Sequence, residues 1–288
     1  MKASEFHSSR KFADTPFGRL AYVERGSGPV ALFVHGFPLC GYQWRFALDE
    51  LSPFRTCIAP DMMGVGYTEV RPGQDISFES QAKALNALLE AKSIAQVDLV
   101  GNDTGGGVSQ IFAAMYPAKV RTLTLTNCEV SDLWPNEMLK QFYGALKAGM
   151  VGEAFKAMAT DEAMAQAQLA SVYENPSLLN TELLGVYFQP FVDSAERREL
   201  VKGFSDAERN RDQIVAVADQ LRSSKIPAQV LWGEADTAFD GPASVEWLRA
   251  NLGGLRKVTT IPGAKLFWPE EHPRLLTVLL KEFWSAMN

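Results

Sequence analysis

Asp103 occupies the middle of a Gly101-x-Asp103-x-Gly105 spacing, between the apolar run Val97–Val100 and a helical pattern beginning at Gly106. Glycines on both sides of one reactive residue suit a strained strand-to-helix turn, where a Cβ would clash. The helix that follows offers free N–H groups and the positive end of its dipole. A carboxylate is already ionised at neutral pH and needs no base before it attacks carbon. The plainer reading of Asn102-Asp103-Thr104-Gly105-Gly106 is an ordinary turn with Asp103 as an N-cap. Histidines number three, at positions 7, 35 and 272, so few imidazole bases are on offer.

The elements around Asp103 read as a buried parallel sheet. Val30–Val34, Thr56–Ala59, Val97–Val100 and Leu123–Thr126 are apolar runs without polar alternation, each ending in a turn. Gly18–Glu24 reads as one arm of a hairpin. Helical patterns over Trp44–Leu51, Phe78–Ala91 and Gly106–Met115 separate the runs, so right-handed crossovers are expected. From Ser131 to Arg222 no strand is convincing. Helices are expected at Asn136–Ala148, Glu153–Tyr173, Ser177–Phe188, Ala195–Gly203 and Ala207–Arg222. Strand and helix resume with Ala228–Trp232, Pro242–Asn251, Lys257–Ile261 and Glu271–Ala286. The expected organisation is a core of residues 1–130 and 223–288, with a helical cap of residues 131–222.

Four motifs in this order resemble the α/β-hydrolase family. Asp103 sits in the nucleophile elbow. His35-Gly36-Phe37-Pro38 resembles the H-G-x-P oxyanion loop, which implies backbone donors at Phe37 and Thr104 and a supporting role for His35. Asp61-Met62-Met63-Gly64-Val65-Gly66-Tyr67-Thr68 resembles the D-x-x-G-x-G-x-[ST] loop. Trp232-Gly233-Glu234-Ala235-Asp236 resembles W-G-x-x-D, which makes Asp236 the acidic partner. Asn127 stands where some relatives keep that acid, with Glu129 close by as a second choice. The resemblance implies a three-layer α/β fold, with a mostly parallel eight-stranded sheet and a helical cap inserted after the sixth strand. An aspartate nucleophile resembles the epoxide hydrolase and haloalkane dehalogenase branch, in which it forms an ester that water then cleaves.

One position departs from that pattern. The family's catalytic histidine aligns without a gap onto Leu266 in Pro262-Gly263-Ala264-Lys265-Leu266-Phe267-Trp268-Pro269. Lys265 and His272 are candidate substitute bases, as are Glu270 and Glu271. An ordinary lysine is protonated at neutral pH and needs burial to serve. Thr104 and Phe37 occupy places where dehalogenases usually keep halide donors, which disfavours that activity. Cap tyrosines Tyr143, Tyr173 and Tyr187 are candidate proton donors. Trp44, Trp134 and Phe267, with Phe37, Phe188 and Trp268, are candidates to line an apolar pocket.

The leading expectation is a cofactor-free hydrolase that uses Asp103 on a small apolar substrate. The alternatives are a lyase, cyclase or isomerase with Asp103 as acid or base, or a ligand-binding protein. A formal net charge of -6 disfavours nucleic acid and anionic membrane as partners. No apolar stretch follows Lys2, so no secretory signal is expected, and Cys40, Cys57 and Cys128 read as reduced thiols of a cytoplasmic protein. No ligand spacing implies a metal and no phosphate loop implies a nucleotide. A monomer or homodimer is expected.

Overall fold

The apolar runs do become one sheet. In the computed structural model, which describes residues 1–287, eight strands lie in the order β1-β2-β4-β3-β5-β6-β7-β8. They are β1 (Arg10–Thr15), β2 (Gly18–Arg25), β3 (Val30–Val34), β4 (Thr56–Pro60), β5 (Val97–Asn102), β6 (Val120–Thr126), β7 (Ala228–Gly233) and β8 (Leu255–Ile261). The β1–β2 hairpin joins the sheet antiparallel, and β4 to β8 run parallel with β3 among them. Every residue of β5 and β7 is buried, as a strand covered by helices on both faces requires. The parallel strands end on the same side, so the loops after β3, β5, β6, β7 and β8 gather there.

All residues between β6 and β7 that take regular structure are helical. Their starts are set by side-chain caps: Asn136 accepts from the Leu139 N–H at 2.9 Å, Asp161 from Met164 at 2.9 Å and Asn180 from Leu183 at 3.0 Å. The Asp161 cap corrects one expectation. Glu153–Tyr173 is not a single helix but Met150–Met158 and Glu162–Leu169, because Asp161 opens a second helix at that point.

The loop after β8 carries a dense set of the bonds that hold the cap to the core. Lys265 Nζ donates to the Ala170 carbonyl at 2.7 Å, and the Phe267 N–H to that of Val172 at 3.1 Å. Glu271 accepts from the Glu174 and Asn175 N–H groups at 2.9 and 2.8 Å. Buried Glu270 accepts from Tyr173 and Tyr187 at 2.6 and 2.7 Å and pairs with Arg45.

At the other end of the cap's floor, two backbones nearly touch. A Cβ on Gly105 would lie 2.2 Å from the Val34 carbonyl oxygen and 2.5 Å from that of His35. No side-chain rotation relieves a clash with backbone. Gly105→Ala is expected to destabilise the protein by about 3 kcal/mol or more, read as a lower urea midpoint at unchanged slope.

Candidate active site

The turn after β5 holds Asp103 at φ +52°, a conformation that non-glycine residues rarely adopt. Neighbouring backbone over-determines it: the Asp103 N–H donates to the Asn127 carbonyl, and its carbonyl accepts from the Gly106 N–H, both at 2.7 Å. The Phe37 N–H donates to Asp103 Oδ2 at 2.7 Å, and the Thr104 N–H also bonds the carboxyl group. These are the two donors expected of an oxyanion hole. Phe37 reaches this place because Gly36 has no side chain. A Cβ there would sit 2.8 Å from Asp103 and from the Phe267 ring. His35 is buried behind the loop. Its Nε2 accepts from the Met62 N–H at 2.9 Å, so Nδ1 carries the proton and donates to the Gly36 carbonyl at 2.9 Å.

Burial dominates the electrostatics. It pushes the Asp103 carboxyl up to about 7 against the two backbone donors, with repulsion from Asp236 adding to the rise. Burial likewise raises Asp236 to about 6, although the Ala238 N–H and the Asn127 amide bond its charged form. Glu129, 1% exposed, is raised well above the ordinary carboxylate range by burial first and then by Asp103. Its Oε1 accepts from Thr104 Oγ1 at 3.1 Å, whereas its Oε2 has no partner.

Asn127 takes a part that its amide chemistry disguised. Its Oδ1 accepts from the Gly233 N–H at 2.7 Å and from the Trp268 indole at 3.1 Å. Its Nδ2 donates to the Gly233 carbonyl at 3.0 Å and to Asp236 Oδ2 at 2.9 Å. The side chain thus ties β6, β7 and the loop after β8 together and orients Asp236. Leu266 is buried beside Asp103, its carbonyl accepting from Asn102 Nδ2 at 3.0 Å. No imidazole stands between the two aspartates.

Asp103 and Thr104 open onto a cavity of about 220 Å³ between core and cap. Phe37, Tyr143, Leu266 and Phe267 line it, as do Phe142, Phe155, Leu169 and Val172, which sequence reasoning missed. Phe142, Phe155 and Leu169 lie on cap helices and Val172 in the turn after the last of them, segments whose facing side has no motif to mark it. Several sequence candidates fall elsewhere. Trp44 is buried against Phe33, and Trp134 stacks on Phe78 at 5.8 Å, both as plain core. The hydroxyls of Tyr187 and Tyr173 are engaged by Glu270, and Glu271 is engaged by cap backbone. Lys265 points to the Ala170 carbonyl, and exposed His272 meets Glu174 at 2.8 Å. Neither of these two candidate bases lines the cavity. Among the described residues no group of histidines, cysteines and carboxylates is arranged to hold a metal ion, and no helix is long and apolar enough to cross a membrane.

Residues 29–265 match the sequence family described as alpha/beta hydrolase fold. This chain belongs to the alpha/beta hydrolase fold family. Its relatives make it a hydrolase of that superfamily. It is 28% identical to a haloalkane dehalogenase of Mesorhizobium japonicum, over 88% of this chain and 84% of that one. It is 24% identical to epoxide hydrolase 2 of Caenorhabditis elegans, over 96% and 80%. A cis-3-alkyl-4-alkyloxetan-2-one decarboxylase of Shewanella oneidensis is 25% identical over 83% and 77%. The solved structure of the epoxide hydrolase CorEH superposes with a TM-score of 0.81 at 19% identity, covering 97% of this hydrolase and 99% of that chain.

The raised Asp103 has a consequence for the hydrolase's stability. Its folded pKa lies above the unfolded value, so between about pH 4 and pH 7 the folded state binds more protons and loses stability as pH rises. Asp103→Asn removes that loss. The variant's advantage over the parent should grow across this window to on the order of 2–4 kcal/mol and then level off, as measured by urea unfolding at stepped pH.

Proposed function

We propose that Asp103 is the nucleophile of a hydrolase acting on a small apolar electrophile, in the manner of the epoxide hydrolase and haloalkane dehalogenase relatives. One observation carries the reading: Oδ2 is held by the Phe37 N–H at 2.7 Å, in the loop built to receive an oxyanion. That clamp leaves Oδ1 to attack a carbon atom held in the apolar cavity. The Phe37 and Thr104 N–H groups then receive the oxyanion that forms when water adds to the ester. Thr104 and Phe37 bring no side-chain N–H toward a halide, which favours an epoxide over an alkyl halide.

Leu266 gives the second half of the reaction a different character. With a leucine where a base is expected, ester cleavage should be the slow step. A second reading has the same origin. A carboxyl raised to about 7 is suited to move protons, so Asp103 would act as general acid or base in an elimination, ring closure or isomerisation.

Intact-mass measurement after incubation with epoxides, alkyl halides and activated esters separates the two. Nucleophilic attack predicts an adduct on Asp103 that persists for many turnovers' worth of a normal relative. It should form faster as pH rises through about 7, because only the carboxylate attacks. Its absence in the parent across the panel, with turnover of a non-hydrolytic substrate instead, would favour the second reading. Leu266→His should shorten the adduct's lifetime by roughly 100-fold or more, the usual contribution of a positioned base. An unchanged lifetime would show that residue 266 does not hold the base position.

A further inference from the structure

Glu129 is buried to 1% exposure yet has no part in the oxyanion clamp or in holding Asp236. It follows β6, and its backbone is fixed by Gln110 Nε2, which donates to the Glu129 carbonyl at 2.7 Å. One of its carboxyl oxygens lies 3.1 Å from Thr104 Oγ1, accepting from that hydroxyl when Glu129 is ionised and donating to it when Glu129 is protonated, and the other is buried without a partner. Thr104 lines the cavity next to Asp103. A path of two side chains therefore leads from a sealed carboxyl group to the space where substrate must lie.

We propose that Glu129 is the proton store for the first half of the reaction, acting through Thr104 Oγ1 on a strained cyclic ether. The inference rests on Asp103 being the nucleophile. Asp103 Oδ1 forms a bond to the ring carbon, and the ring C–O bond breaks toward oxygen. That oxygen takes the Thr104 hydroxyl proton, while Thr104 Oγ1 takes the proton of Glu129. The products are a neutral ester, a hydroxyl group and the Glu129 carboxylate. The proton set free when water later cleaves the ester restores Glu129. Only one negative charge occupies the buried pair at each stage: on Asp103 before attack, on Glu129 after it. Losing the Asp103 charge also removes the repulsion that, after burial, holds the Glu129 carboxyl above the ordinary carboxylate range. The groups facing Glu129 are Asp103 on the elbow, Cys128 beside it and Tyr143 from the cap. Two further hydroxyls line the cavity: Ser171 lies on its exposed rim, and Tyr143 is a phenol, intrinsically a far weaker acid than a carboxyl group, which burial weakens further.

The test compares single-turnover alkylation by 1,2-epoxyhexane and by 1-bromohexane, followed by intact mass. A departing bromide needs no proton, so the bromide rate reports Asp103 and the fold, and the epoxide rate reports proton delivery as well. Glu129→Gln and Thr104→Val, which cut the path at opposite ends, should each lower the epoxide-to-bromide rate ratio by roughly tenfold or more. Tyr143→Phe should not lower it. The parent's epoxide rate should also fall at high pH, as Glu129 loses its proton, and this limb should vanish in Glu129→Gln. A ratio unchanged in both path variants overturns the proton store and leaves Asp103 as nucleophile. A ratio that collapses only in Tyr143→Phe overturns it in favour of the tyrosine. Adducts with neither reagent in the parent overturn the nucleophile and the proton store together.

Discussion

The backbone after β3 runs against the first turn of the helix after Asp103, with Gly36 and Gly105 at the points of contact. Any side chain at either position would meet atoms closer than 3 Å. This approach is what brings the Phe37 N–H to the carboxyl group. It also explains why the strained φ of Asp103 persists: the hydrogen bonds that fix it come from β6 and from its own helix, both locked into the sheet. The loop after β3, the turn at Asp103 and the sheet register are one construction. A shift in β3 relative to β5 would move the donor and the acceptor apart.

Much of this was legible from residue types. Apolar runs marked buried strands because a two-faced parallel strand leaves no room for polar alternation. The elbow and the loop after β3 were legible because their glycines answer a steric demand of the backbone itself. The cap was harder. Its helices announce themselves by their caps, but the choice of inward face depends on where each helix docks. Tyr143 and Phe267 reach the cavity, whereas Trp44, Trp134 and Tyr187 are held elsewhere by partners remote in sequence. Asn127 shows a subtler limit. Ruling it out as a carboxylate was sound, yet its four hydrogen bonds arise from three separate segments that meet only in the folded sheet.

The loop after β8 serves both the cavity and the cap. Leu266 presents apolar surface to the cavity. The residues after it bind cap backbone and cap tyrosines in succession. Asp236 keeps its place through Asn127 alone among side chains. Three carboxyl groups thus gather in a largely buried region, and burial is the first cause that lifts each of them.

The cavity has two authors. Asp103, Thr104, Phe37, Pro38, Ala238, Leu266 and Phe267 make its floor and come from the sheet's loops, and the rest of its wall comes from the insertion between β6 and β7. Its exposed rim residues, Met138, Gln168 and Ser171, all belong to that insertion. Admission and chemistry are therefore written in separate stretches of the gene. Drift in the insertion can change which molecules are let in without disturbing the bonds that hold Asp103, so such a scaffold can acquire new clients long before it acquires a new reaction.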